Sequence, residues 1–113
     1  QQCLFIAQAE LAGAQKSITA EHVSDLEAII NQLEAQIQNQ RTFVVPGSTE
    51  LSGWFDYARA VSRRAERAVL RAQDLHNLSP QTYAYLNRLS SLLYALARSA
   101  AVEAGTAELH PTY

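Results

Sequence analysis

The chain has 113 residues, 48% hydrophobic and 18% charged, which suits one folded domain and leaves no material for a second core. Its formal net charge of −2 argues against extended nucleic acid or an anionic membrane as partner, so any anionic ligand should be small and locally bound. The single cysteine, Cys3, excludes an internal disulfide, no apolar run approaches the about 20 residues of a membrane span, and a reducing, cytoplasmic setting is expected.

The periodicity is helical throughout. Leu4, Ala7, Leu11 and Ala14 share one stripe, which predicts a first helix reaching about Gln15. The opening "QQCLFIAQAEL" begins in mid-pattern with no initiator Met, and a fragment or trimmed chain is the expectation. "KSITAEHV" is a break and restart, with Thr19 suited to cap the next helix and Glu21 placed well in its first turn. In that second helix Val23, Leu26, Ile30, Leu33 and Ile37 step by 3, 4, 3 and 4, a narrow seam of the bundle type. "TFVVPGS" then reads as a loop whose Phe-Val-Val run either plugs the end of the bundle or reaches into a pocket. A third helix is predicted from Ser48 or Thr49 to about Leu75, with Leu51, Trp54, Phe55, Ala58, Val61, Ala65 and Val69 on its apolar side. Ser79 followed by Pro80 starts a fourth, ending near Ala104 at Gly105, with Tyr83, Leu86, Leu89, Leu93, Leu96 and Ala100 as its buried stripe. The expected fold is therefore all-α: an antiparallel four-helix bundle over residues 1–105, followed by a loose tail at 106–113.

One segment stands out chemically. "YARAVSRRAERAVLRA" carries Arg59, Arg63, Arg64, Arg67 and Arg71 against one acid, Glu66. Arg59, Arg63 and Glu66 share a face, and Glu66 can pair with Arg63 or Arg67. The surplus guanidiniums are either a solvated array or a site for phosphate or carboxylate, which their planar forks fit with two parallel bonds. Asn87 is polar within an apolar stretch, either a surface amide or one aimed across the bundle at Arg63 or a ligand. His22, His76 and His110 sit on separate segments without metal-ligand spacing, no metal ligands are identified among the side chains, and no glycine-rich phosphate loop occurs.

The stretch "FVVPGSTELSGWFDYARAVSRRAERAVL", followed by "YLNRLSSLLYALAR", resembles the PduO-type ATP:cob(I)alamin adenosyltransferases. The resemblance is strong over about Thr42 to Ala101 and looser before it. It implies a homotrimer of helical bundles, five helices each in the complete fold, that transfers the 5′-deoxyadenosyl group of ATP to cob(I)alamin and releases tripolyphosphate. Its implied substrates are ATP with Mg2+ and a corrinoid, and a flavoprotein reductase is an implied partner. By the same resemblance Arg63, Arg64, Glu66, Arg67 and Asn87 contact ATP, and Arg59 makes an inter-subunit salt bridge near the nucleotide. Phe43 is implied to displace the lower ligand of cobalamin, which with Arg63 makes it a catalytic candidate, and Tyr94 is implied to line the corrin cavity.

Four departures accompany the match. The family's Thr-Lys-Thr-Gly-Asp-x-Gly phosphate loop and first helix do not occur in this sequence, nor does the aspartate that would pair with Arg59. "PGST" has lost one of two paired glycines, and Ser91 stands where the family usually has Asp. The competing expectation is therefore a non-catalytic module that keeps oligomerisation or corrinoid binding.

Overall fold

A computed structural model describes residues 1–37, 49–74 and 78–103. Four helices account for most of them: α1 (Gln2–Leu11), α2 (Ala20–Gln36), α3 (Glu50–Arg71) and α4 (Pro80–Glu103). The predicted loop with Phe43, the stop at His76 and Asn77, Gly105 and the tail lie outside the described residues.

Local chemistry sets the helix ends. α1 stops at Leu11, four residues before the expected Gln15, because Gly13 takes φ +95° just past its end. The Gly13 amide donates to the Glu10 carbonyl at 3.0 Å and the Ala14 amide to that of Ala9 at 2.9 Å, a Schellman closure that only glycine enters without strain. At the start of α2 the Thr19 hydroxyl accepts from the His22 amide at 3.2 Å, while His22 Nδ1 accepts from the Thr19 amide at 3.1 Å. Ile18, just ahead of this cap, is buried. Thr49 and Ser52 make the same reciprocal pair at the start of α3, at 3.1 and 3.0 Å. Ser79 caps α4 through the Thr82 amide at 3.2 Å.

Pairings between helices fix their directions. Arg59 of α3 lies over Tyr94 of α4, and Glu66 bonds Asn87, so advance along one helix is retreat along the other. Glu10, at the end of α1, accepts from the Ser79 amide at 2.8 Å and from the Thr82 hydroxyl, joining the C-terminus of α1 to the N-terminus of α4. α1 thus runs antiparallel to α4, as α3 does. The α2 seam is borne out, with Leu26, Ile30 and Ile37 buried and Val23 and Leu33 half-buried.

Two expectations about burial need correcting. In α4 the most enclosed residues are small: Thr82, Ser90, Ala95, Ala97, Ala100 and Ala101, with the larger members of the expected stripe half-buried. Small side chains let the α4 backbone lie close to its neighbours, so α4 is the helix that others pack around. In α3 only part of the expected apolar side turns inward, with Phe55, Ala58 and Val69 half-buried. Leu51, Trp54 and Val61 are exposed, at 55%, 63% and 39%, and the seam facing α4 is instead Ser52, Phe55, Arg59, Ser62, Glu66 and Val69, stepping by 3, 4, 3, 4 and 3. That polar seam positions the site.

Candidate functional site

α2, α3 and α4 enclose an open cleft of about 230 Å³ lined by Glu34, Arg59, Arg63, Asn87, Ser90, Ser91 and Tyr94. Each helix contributes at helical repeat: Arg59 and Arg63 one turn apart, and Asn87, Ser90, Ser91 and Tyr94 along two turns.

The groups are held by a small polar network. Asn87 Nδ2 donates to Glu66 Oε2 at 3.0 Å, which leaves the amide oxygen as an acceptor for the cleft. Below it, the Ser90 hydroxyl donates to the Asn87 carbonyl at 3.1 Å, spending a buried polar group within α4. On α3 the Ser62 hydroxyl likewise donates to the Arg59 carbonyl at 2.8 Å. Arg88 Nη1 reaches Ser91 Oγ at 3.4 Å, and its Nε sits 3.8 Å from Glu27 Oε1, which ties α4 to α2.

Arginine sets the electrostatics. The Arg59 guanidinium lies 5.3 Å from the centroid of the Tyr94 ring, and Arg98 lies over the same ring at 5.8 Å. Arg59 Nε is buried with no hydrogen-bond partner among the described residues. Arg63 stands exposed at the rim. Glu34 is the one carboxylate among the lining residues, so two cations face one anion and the cleft has a local positive surplus inside an acidic chain. Among the described residues no cluster of three or more His, Cys, Asp or Glu side chains could hold a metal ion. Nor is any helix among them long and apolar enough to cross a membrane.

The structure thus brings Arg59, Arg63, Asn87 and Tyr94 into one cleft and joins Glu66 to it through Asn87. Arg64 and Arg67 are exposed and do not line it, and Phe43 is outside the described residues. Glu66 bonds Asn87 rather than taking up the arginine pairing that spacing suggested. Sequence reasoning missed Glu34 and Ser90 altogether. Neither carried a signal, since a glutamate flanking the α2 seam and a serine in "LSSLL" look like ordinary bundle residues.

The chain is an all-α bundle with an arginine-bearing cleft lined by its second, third and fourth helices. The cobalamin adenosyltransferase family model matches residues 1–100, and the chain belongs to that family. It is 38% identical to the corrinoid adenosyltransferase PduO of Salmonella typhimurium over 88% of this chain and 32% of that protein. It is 34% identical to a corrinoid adenosyltransferase of Citrobacter freundii, over 87% of this chain and 60% of the relative. The human corrinoid adenosyltransferase matches at 34% identity, over 76% of this chain and 34% of its own length. The chain therefore spans between about a third and three fifths of these relatives. Among solved structures, a variant PduO-type ATP:corrinoid adenosyltransferase from Lactobacillus reuteri, complexed with cobalamin and ATP, superposes with TM-score 0.91 at 24% identity. It covers 99% of this chain and 66% of the other, which establishes the shared fold.

Proposed function

We propose that the protein to which this chain belongs is an ATP:cob(I)alamin adenosyltransferase and that the cleft forms part of its nucleotide site. The observation that carries this reading is the convergence of residues from two separated motifs, Arg59 and Arg63 on α3 and Asn87 on α4, into one cationic cleft. The reaction needs little from the protein in the way of proton transfer. Cobalt(I) attacks C5′ of ATP, a Co–C bond forms, the C5′–O bond breaks, and tripolyphosphate leaves with the electron pair. The protein's share is to hold the nucleotide in line and to spread the leaving group's charge over fixed donors.

Arg63 suits the second task, because a rim guanidinium offers two parallel charge-assisted bonds to phosphate oxygens. Asn87, turned by Glu66, presents a neutral acceptor suited to a ribose or adenine donor. Glu66 then serves the nucleotide through Asn87, since a bare carboxylate would repel phosphate. Arg64 and Arg67 extend the positive field from outside the cleft, and Mg2+ would arrive with the phosphates. Arg59 is assigned to an inter-subunit contact beside the nucleotide, and Phe43 and Tyr94 to the corrinoid side. A homotrimer, a flavoprotein reductase as electron source and a cytoplasmic location complete the reading. The exposed Leu51, Trp54 and Val61 on α3 support assembly, because apolar side chains aligned on one helix face are commonly covered by a partner.

The test is anaerobic incubation of the full-length protein with cob(I)alamin and MgATP. The absorption spectrum of adenosylcobalamin should appear, and Arg63→Ala should lower kcat/KM at least about tenfold, the loss of one charge-assisted contact. A full-length protein that binds neither substrate would leave the non-catalytic module as the correct description.

A further inference from the structure

We propose that Tyr94, besides facing the corrinoid side, is a positioning residue for Arg59: its ring face fixes the plane of that guanidinium beside the bound nucleotide, where the inter-subunit contact is made. The inference rests on the nucleotide reading above and extends it to how the cleft is held ready before ligand arrives.

The geometry begins with a deficit. Arg59 Nε is buried without a hydrogen-bond partner among the described residues, so the usual means of fixing a guanidinium, a bond to each edge of its fork, is incomplete. What lies against the group instead is an aromatic face, with the guanidinium carbon 5.3 Å from the Tyr94 centroid. A ring at that distance attracts the cation through its quadrupole and favours a restricted set of orientations of its plane. Neither residue is free to drift from the other. Both are half-buried on facing helices, and the Glu66–Asn87 hydrogen bond joins the same two helices about two turns away. Arg98, one turn along α4 from Tyr94, lies over the same ring at 5.8 Å. The ring therefore meets two cations, Arg59 and Arg98. Arg59 keeps its outer donors for the inter-subunit contact beside the nucleotide while its flat side is held, and a planar fork held in place loses less freedom on binding. The ring, not the hydroxyl, is what this role requires.

The experiment uses the full-length protein and three measurements. First, in the wild type, a through-space NMR contact between the Arg59 Hε proton and the Tyr94 ring protons should be present without ligand. Its absence overturns the proposal. Second, calorimetry with MgATP should give an affinity within about twofold of wild type for Tyr94→Phe and about tenfold weaker for Tyr94→Leu, the size expected of one partly desolvated cation–π contact. Equal losses in both variants would assign the effect to the hydroxyl and overturn the proposal. Third, Tyr94→Leu should cost less than about twofold when added to Arg59→Ala, because the two act as one unit. An additive loss overturns it. A wild-type protein with no MgATP affinity would sink the nucleotide reading, while the NMR contact would still decide whether Tyr94 holds Arg59. Rescue by phenylalanine separates positioning from a general folding defect.

Discussion

Asn87 and Glu66 show what a residue alone can and cannot disclose. A poor helix former retained inside an apolar stretch is legible as purposeful, and the alternatives offered by the sequence were a surface amide or one aimed at Arg63 or a ligand. Its bond goes to Glu66, one turn along α3 from Arg63. Periodicity places residues on a helix face, but the register between two helices depends on how α3 and α4 interlock, and no single helix encodes that. The pair gives a divided expectation. Asn87→Ala should change the unfolding free energy by less than about 0.5 kcal/mol, because the amide is exposed and water can solvate the abandoned carboxylate, yet MgATP affinity should fall. Glu66→Gln keeps an acceptor for the Asn87 amide and should retain most of that affinity, whereas Glu66→Ala should not. Denaturant titration and calorimetry on the same variants read the two effects. Nucleotide affinity unchanged in Asn87→Ala would remove this amide from the site.

Among the elements, α2 and α4 have the starts, and α2 the face, that the sequence stated most directly, through caps at Thr19 and Ser79 and through the α2 seam. α3 is different, and its case is instructive. Its apolar residues do align, but Leu51, Trp54 and Val61 look outward while Arg59, Ser62 and Glu66 look toward α4. Inferring burial from hydrophobicity failed for these three residues because the seam toward α4 is shared with Ser52, Arg59, Ser62 and Glu66. The T-shaped Trp54–Tyr57 pair, with ring centroids 6.2 Å apart and both rings more than 60% exposed, sits on that outward side. Replacing Trp54 by Ser should therefore leave the unfolding free energy of the dissociated subunit within about 0.5 kcal/mol of wild type while weakening self-association, which sedimentation over a concentration series would resolve. A large loss of subunit stability would mean the ring is covered within its own chain. The start of α3 offers the opposite case. Thr49→Ala removes the acceptor for the Ser52 amide and should cost about 1 kcal/mol of stability by denaturant unfolding, with the cleft loosened because Arg59 and Arg63 lie on the same helix.

At the scale of the whole molecule, α1 is joined to the bundle by polar as much as by apolar contact. Glu10 secures one end against the N-terminus of α4, and farther along the Tyr85 hydroxyl meets the thiol of Cys3. Spacing gave no warning of either link, because both depend on α1 lying antiparallel to α4. The second link gives the fold a dependence on alkaline pH whose sign is fixed. Burial first, and then the hydrogen bond and the charge of Cys3, push the Tyr85 hydroxyl up from 10.0 to about 12. The folded chain therefore holds this proton over an interval in which the unfolded chain has already released it. Through that interval the unfolded state binds fewer protons, so stability falls as pH rises. The contribution is complete below about pH 10, the unperturbed tyrosine value, and is lost as pH climbs through about 12. The denaturant midpoint of the wild type should accordingly decline across this range, and Tyr85→Phe, which has no proton to lose, should flatten the decline. Tyrosinate absorbance followed in parallel should show a step near pH 12 in the wild type that the variant lacks. An equal slope in both proteins would show that the α1–α4 contact is solvated and that α1 is held by Glu10 and its apolar face alone.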